Sequence, residues 1–412
     1  MSKYVIIGNS AAAVGTVEGI RSVDPDGEIT LISDEAHHTY SRPLISYLLL
    51  GKTDEKRMLY REKDFYKKNK VTPILGKKAV KIDPKQKKVV LEDGTELSYE
   101  KLMNATGSKP FIPPTEGLDT VKNSFTFMTL DSAKEIRKKL KPDSRVLIIG
   151  AGLIGLKAAE AVEETVRELT VIDLADRILP SILDPAAGKI MQKHIEDKGT
   201  RIILGTSVER FEGNTAYLKN GTEISFDLLI TAVGVRPNTE LIRDAGGEVG
   251  KGIRTDRTQL TSLPDIYAAG DCTESYDLSS GTERILALLP NAYMQGEVAG
   301  KNMAGGEALY EKAIPMNAIG FYGLHIITAG SYDGDDDFTE ADGENYKRLI
   351  FRGGKLVGFI LMGDEIRRAG IYTSLIREQV PFDTVDLTLL KKKPQLLLFG
   401  RDARKKKLSN HA

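Results

Sequence analysis

The chain has one cysteine, Cys272, in 412 residues. No internal disulfide can form. Neither charge is in excess: 58 basic residues balance 58 acidic ones. A net charge of zero gives no global field to draw nucleic acid or an acidic membrane. No apolar run reaches the roughly 18 residues that a spanning helix needs. The five histidines do not cluster with metal-ligand spacing, so no metal site is expected. A strand begins at Tyr4, which leaves no room for a secretory leader, and a cytoplasmic location is the default expectation. What remains is an ordinary globular composition, 41% hydrophobic, at a length suited to two or three domains.

The most legible stretch runs from Arg145 to Asp173. Val146-Leu147-Ile148-Ile149 reads as a buried parallel strand. Gly150-Ala151-Gly152-Leu153-Ile154-Gly155 follows, a full G-x-G-x-x-G. A helical pattern runs from Leu156 to about Glu168, and a second strand from Leu169 to Ile172. Gly150 allows the tight turn, Gly152 lets backbone approach a pyrophosphate, and Gly155 lets helix and strand pack closely. Amides at the helix start attract phosphate. Asp173 lies 18 residues after Gly155, where an acid accepts from an adenosine ribose. That acid argues for NAD, because it would repel a 2′-phosphate and no arginine immediately follows.

The same pattern opens the chain. Tyr4-Val5-Ile6-Ile7 is a strand, then Gly8-Asn9-Ser10-Ala11-Ala12-Ala13, a small-residue helix to about Ser22, and a strand at Ile29 to Ile32 closing on Asp34 and Glu35. Ser10 and Ala13 stand where the second and third glycines would be. Two such units suggest two dinucleotides; the bland reading is one working site and one vestigial fold. Residues 36–70 read as a polar loop-and-helix excursion, and Glu92-Asp93-Gly94-Thr95 as a hairpin turn. Asp184 and Pro185 start a helix as N-cap and first-turn residue. Short strands are expected at 201–204, 215–218, 228–232 and 266–269, and a helix from Asn291 to Met303. Gly353-Gly354 separates two further strands, a helix lies near 364–378, and a basic tail ends the chain.

Taken together, Gly8–Ala13, Ala105-Thr106-Gly107, Gly150–Gly155, Ala232–Asn238 and Tyr267–Asp271 resemble, in order and spacing, the pyridine-nucleotide:FAD oxidoreductases. Tyr40-Ser41-Arg42-Pro43 is similar to the branch of rubredoxin reductases, ferredoxin reductases and FAD modules of nitrite reductases. The resemblance implies an α/β fold: two Rossmann-like, doubly wound three-layer domains, the second inserted in the first, plus a C-terminal α+β domain. FAD would occupy residues 1–112 and 246–312, NAD 113–245, and residues 313–412 would form an interface or docking domain. By position, Gly8, Ser10, Ala12 and Ala13 would cradle the FAD pyrophosphate, and Asp34 or Glu35 would hold its ribose. Arg42 would contact FAD, Val80 would offer backbone to adenine, and Ala105, Thr106 and Gly107 would line the cofactor. Asp271 would accept from the ribityl chain. The helix after Pro290 would aim its positive end at the flavin. Gly150, Gly152, Ile154, Gly155, Asp173 and Gly234 would lie along the NADH path.

Departures from the family matter too. Its disulfide reductases carry cysteines on the first long helix, where this chain has Tyr40, Ser41 and Arg42. Cys272 reads as a small buried filler. Many members place a lysine at the position of Tyr47 and a glutamate at that of Lys157. The swap offers Lys157 as a cation near the nicotinamide; the bland reading is a solvent-exposed helix lysine. Asp333, Asp335, Asp337 and Glu344 fit a calcium loop in spacing, but Phe338 stands where glycine is needed, so a solvated acidic loop is expected. The basic tail reads as a solvated run or a dock for an acidic electron carrier. The implied activity is electron transfer from NADH through FAD to a one-electron metalloprotein: rubredoxin, ferredoxin or an iron–sulfur subunit. The alternatives are an NADH oxidase using oxygen and a redox-regulated flavoprotein of the apoptosis-inducing-factor type. The C-terminal domain offers either that docking face or the face of a homodimer.

Overall fold

The computed structural model describes residues 2–409; the side chains of Ser2, Ala403, Lys406 and Lys407 lie outside the described residues, as does the chain after Ser409. The Lys406 and Lys407 side chains of the expected basic tail therefore lie outside the described residues. The fold is mixed α/β and divides into two compact units. One comprises residues 1–174, 206–276 and 282–311, the other residues 175–205, 277–281 and 312–412.

In the first unit, β1 (Ser2–Ile7) is flanked by β2 (Ile29–Ser33) and β6 (Glu96–Asn104), both parallel to it. β3 (Val71–Leu75) extends the sheet beyond β2. The far end of β6 turns antiparallel onto β5 (Lys88–Leu91) and then β4 (Ala79–Asp83). Ile266–Ala268 returns from much later in the chain to pair in parallel with β6. The central strand is buried on both faces, Tyr4, Val5 and Ile6 at 0% exposure, which is why it reads as an unbroken apolar run.

A second parallel sheet contains, in order, Glu168–Ile172, Arg145–Ile149, Leu228–Thr231 and Ser124–Thr126. The helix after its glycine turn spans Leu153–Val162 rather than 156–168. It begins at the turn itself, with Gly152 as N-cap, and stops early because the next strand already pairs at Glu168 with Arg145.

Backbone-to-backbone packing joins two helices distant in sequence, α1 (Ala11–Arg21) and α5 (Leu289–Met303). A Cβ on Gly296 would lie 2.0 Å from the Ala12 carbonyl oxygen, and one on Gly300 2.2 Å from that of Thr16. Reciprocally, a Cβ on Gly15 would meet the Tyr293 carbonyl oxygen at 2.3 Å and one on Gly19 that of Glu297 at 2.4 Å. Backbone touches backbone along both helices, and only glycine permits it. Ala12 faces Gly296 and Thr16 faces Gly300, so the helices run parallel, with both amino termini at one end.

The second unit holds an antiparallel sheet ordered Met316–Phe321, Leu324–Gly330, Lys355–Met362, Asn345–Arg352 and Asp336–Asp342. Gly353 and Gly354 make the expected hairpin turn, at φ of 55° and 70°. The helix Ala369–Arg377 buries Tyr372, Leu375 and Ile376 in this unit's core. Asp184 caps Pro185–Glu196 by accepting from the Ala187 amide at 2.9 Å. The acidic stretch is not a loop: Asp336–Asp342 pairs along its whole length with Asn345–Arg352 and forms the exposed edge of the sheet. Charged residues on an edge strand block pairing with another chain.

Candidate functional site

The two glycine turns differ in what each glycine meets. Gly150, at φ 113°, carries no side chain because a Cβ would lie 2.3 Å from the Ala232 carbonyl oxygen. A Cβ on Gly155 would come within 1.9 Å of the Gly150 carbonyl oxygen. Gly152 is unlike both: a Cβ there meets no protein atom within 4 Å. The chain itself does not require that glycine, and the open space lies at a helix start whose N-cap makes no side-chain hydrogen bond. Amides at such an end are free for an anionic ligand. Asp173 accepts from the Ala151 amide at 2.6 Å, so the expected ribose acid also braces the turn. Ile154 is partly exposed in the first turn of the helix, and Gly234 is exposed at φ 121°.

At the first turn, Gly8 has φ 123°, and a Cβ would strike the Ala105 carbonyl oxygen at 2.2 Å. Ser10 is the N-cap of α1, again without a side-chain cap. Ala12 and Ala13 are buried, at 6% and 0% exposure. A Cβ on Gly270 would lie 3.2 Å from that of Ala12 and 3.7 Å from that of Ala292 in α5. The structure thus gathers Gly8, Ala105, the Gly270–Asp271 turn and the amino-terminal ends of α1 and α5. Leu288, the N-cap of α5, makes no side-chain cap, and Pro290 in its first turn is exposed. Thr106 and Gly107 are locked to Asn238, which donates to the Thr106 carbonyl at 2.8 Å and to the Gly107 carbonyl at 2.9 Å. Two uncapped helix starts in parallel, with a partly exposed carboxylate beside them, fit a dinucleotide with an anionic pyrophosphate.

Burial pushes the Asp271 carboxyl above the usual range, while the Ser108 hydroxyl, 3.4 Å away, and Arg42 act against that shift. Glu35 is ion-paired with Arg42 and accepts from the Tyr40 hydroxyl at 2.7 Å. Arg42 also donates to the Met128 carbonyl at 3.3 Å, and the Leu130 amide donates to Tyr40 at 3.0 Å. Asp34 is exposed and caps the Glu35 amide at 3.0 Å. Val80 is 49% exposed on β4. His37 is tied to Asp131 at 2.8 Å, and the His38 ring lies tilted against that of Tyr66, with centroids 4.7 Å apart.

Lys157 is not a solvent-exposed helix lysine. Its side chain is 14% exposed and ion-paired with Glu160, and its ammonium lies 5.3 Å from the centroid of the Tyr47 ring. The two swapped positions therefore meet. Cys272 is fully buried and its thiol is pushed up to about 11, chiefly by desolvation. A thiol held that high supplies almost no thiolate at neutral pH. Sequence reading missed the glycines of α1 and α5, although Gly15-x-x-x-Gly19 and Gly296-x-x-x-Gly300 stand in plain view.

The sequence profile of the family described as pyridine nucleotide-disulphide oxidoreductase matches residues 2–296. The chain belongs to that family. A second profile, the rubredoxin NAD+ reductase C-terminal domain, matches residues 315–380. The chain is 33% identical over 389 residues to the NADH-dependent phenylglyoxylate dehydrogenase subunit epsilon of Aromatoleum evansii, covering 91% of each. It is 31% identical over 400 residues to the nitrite reductase [NAD(P)H] of Bacillus subtilis, covering 94% of this chain but only 49% of that protein. Among solved structures, the covalent putidaredoxin reductase–putidaredoxin complex matches with a TM-score of 0.88 and 25% identity, covering 95% and 96% of the two chains. The chain is an NAD(P)H-dependent FAD oxidoreductase, and its single cysteine forms no redox disulfide. Among the described residues, no helix is long and apolar enough to cross a membrane.

Proposed function

We propose that this protein carries electrons from NADH through FAD to a one-electron metalloprotein, a rubredoxin, a ferredoxin or an iron–sulfur subunit. The observation that carries the outward direction is Cys272: the sole cysteine is buried and its thiol raised to about 11, so electrons have no thiol couple to enter. The putidaredoxin of the similar complex and the rubredoxin-reductase profile favour a small metalloprotein as acceptor. One NADH would reduce two carriers, releasing NAD+ and one proton.

In this reading residues 1–112 and 246–312 form the FAD domain, and residues 113–245 form an NAD domain inserted within it. Bound FAD supplies the conversion of a hydride into single electrons. The chain's residues do the positioning. The starts of α1 and α5 present positive dipole ends to the pyrophosphate and the flavin edge. Gly8 and Ala105 let backbone approach. Asp271 accepts from the ribityl chain, and Arg42, steered by Glu35 and Tyr40, faces the phosphates. Gly152 admits the NADH pyrophosphate, with Asp173 at its ribose. Lys157, held against Tyr47 by Glu160, keeps a cation beside the nicotinamide.

The test is an anaerobic NADH titration of the purified flavoprotein, followed by rubredoxin, ferredoxin or air in parallel. Fast reduction of a metalloprotein is the expected result. Fast oxygen uptake with neither carrier reduced would make the protein an oxidase instead.

A further inference from the structure

The chain is neutral as a whole, but the charge is not evenly spread. Residues 387–409 hold eight basic side chains and one acid, a net of +7, so the rest of the chain carries −7. This segment begins after residue 380, where the second family profile ends. It is anchored, not loose. Asp386 caps Leu387–Lys392, accepting from the Thr388 and Leu389 amides at 2.9 and 3.0 Å. Tyr372 donates to the Leu390 carbonyl at 2.9 Å, and Leu390, Leu398 and Phe399 are buried in the core of the second unit. Between those anchors Leu396 and Leu397 stand 45% and 61% exposed, next to exposed Lys392, Lys393 and Arg401.

Some of the acids of the same unit are already matched. Asp337 pairs with Arg348, Glu340 with Lys347 and Glu344 with His194, at 3.3, 2.8 and 2.7 Å. Lys392, Lys393, Arg401 and Lys405 have no ion-pair partner among the described residues. A membrane surface fits poorly, because Leu398 and Phe399 are turned into the core and the leucines left exposed to insert, Leu387, Leu396, Leu397 and Leu408, are too few for an amphipathic face. In the helix Arg401–Ser409 only Ala403 and Leu408 are apolar. A second copy of the chain would bring its own net of +7 at the same segment and an acidic edge that is in part already paired. A pair of exposed leucines flanked along the chain by unpaired cations instead suits a protein surface with an apolar centre and an acidic rim.

We propose that residues 386–409 are a docking element for an acidic one-electron carrier protein; this rests on the carrier reading of the preceding subsection. The test uses the flavin-loaded full chain and, as probe, an acidic [2Fe–2S] ferredoxin. The charge-reversal variant K392E/K393E/R401E is compared with wild type for ferredoxin affinity, for NADH-driven ferredoxin reduction and for NADH–ferricyanide turnover. The expected result is ferricyanide turnover within about twofold of wild type and ferredoxin affinity at least about tenfold weaker at low salt, a gap that closes in high salt by screening. Should the reversal unfold the protein, K392Q/K393Q and L396S/L397S carry the same expectation with smaller loss. Unchanged ferredoxin affinity in a folded variant overturns the proposal, even if electron transfer remains and the carrier reading survives. Binding lost on reversal, with no electrons passed by wild type, keeps the docking element and removes the carrier reading. Wild type that ignores ferredoxin overturns the proposal as well, whether it sediments with phosphatidylserine vesicles or as a dimer that the reversal dissolves.

Discussion

The two glycine turns use the same residue for different ends. At the second turn the three glycines are close together, and two of them, Gly150 and Gly155, are required by neighbouring backbone. At the first turn the third position is Ala13, buried at 0% exposure. There the close approach has moved along the helix, to Gly15 and Gly19 against Gly296 and Gly300. Glycine is needed wherever backbone meets backbone, and the motif spacing describes only one such place. The second turn holds its helix against its own strand. The first holds its helix against one from the far end of the unit, and so aligns two positive helix ends.

The largest expected effects come from filling those contacts. Gly155→Ala and Gly300→Ala each force a Cβ to within 1.9 or 2.2 Å of a carbonyl oxygen, and should cost about 3 kcal/mol, at the upper end for overpacking. Denaturant unfolding measures both. Gly300→Ala should also shed FAD, because it parts α1 from α5. A loss under about 0.5 kcal/mol at Gly300 would break the comparison, since the helix pair would then not need its glycines.

Gly152→Ala sharpens the same contrast from the other side. Its Cβ meets nothing, so stability should move by less than about 0.5 kcal/mol. The KM for NADH, read with ferricyanide as acceptor, should rise on the order of tenfold, about 1.4 kcal/mol of binding. A stability loss as large as that of Gly155→Ala would mean that the second turn is structural throughout.

Lys157→Ala tests the swapped pair. Stopped-flow reduction of the flavin by NADH should slow several-fold, with the unfolding midpoint shifted little, because a partly buried cation over an aromatic ring contributes about 1 kcal/mol. Tyr47→Phe keeps the ring and should leave the rate near wild type. Unchanged reduction in Lys157→Ala would reduce the Lys157–Tyr47 contact to helix packing.

These contrasts mark what was legible beforehand. Glycine turns, parallel strands and the Gly353-Gly354 hairpin follow local rules of φ and burial, and they read directly from sequence. The α1–α5 contact does not, because its partners lie nearly 280 residues apart and a four-residue glycine spacing names no partner. The acidic stretch at 336–342 reads as a solvated loop because its charges hide a strand that is half of an antiparallel pair. Lys157 reads as exposed because its neighbours Tyr47 and Glu160 come together only in the folded chain. Glu35 and Asp173 carry engagements, with Arg42 and with the Ala151 amide, that spacing alone cannot supply.

The smallest effect concerns Asp271, where fold and site pull in opposite directions. Burial raises its folded pKa above the ordinary carboxylate value. Such a group binds its proton more tightly in the folded state, so it adds stability below its unfolded pKa of about 3.9 and withdraws it as pH rises through the folded value. At about pH 7, above its unfolded pKa, the carboxyl group therefore opposes folding of the flavin-free chain. Asp271→Asn should melt slightly higher than wild type at that pH, and the gap should narrow as pH falls toward about 4. The same variant keeps an acceptor oxygen but loses the charge, so it should release FAD more readily than wild type at about pH 7. A higher melting point with weaker flavin retention would mean that the carboxylate is kept for its ligand at the expense of the fold. A lower melting point in the flavin-free chain would assign Asp271 to the fold, through its contact with Ser108.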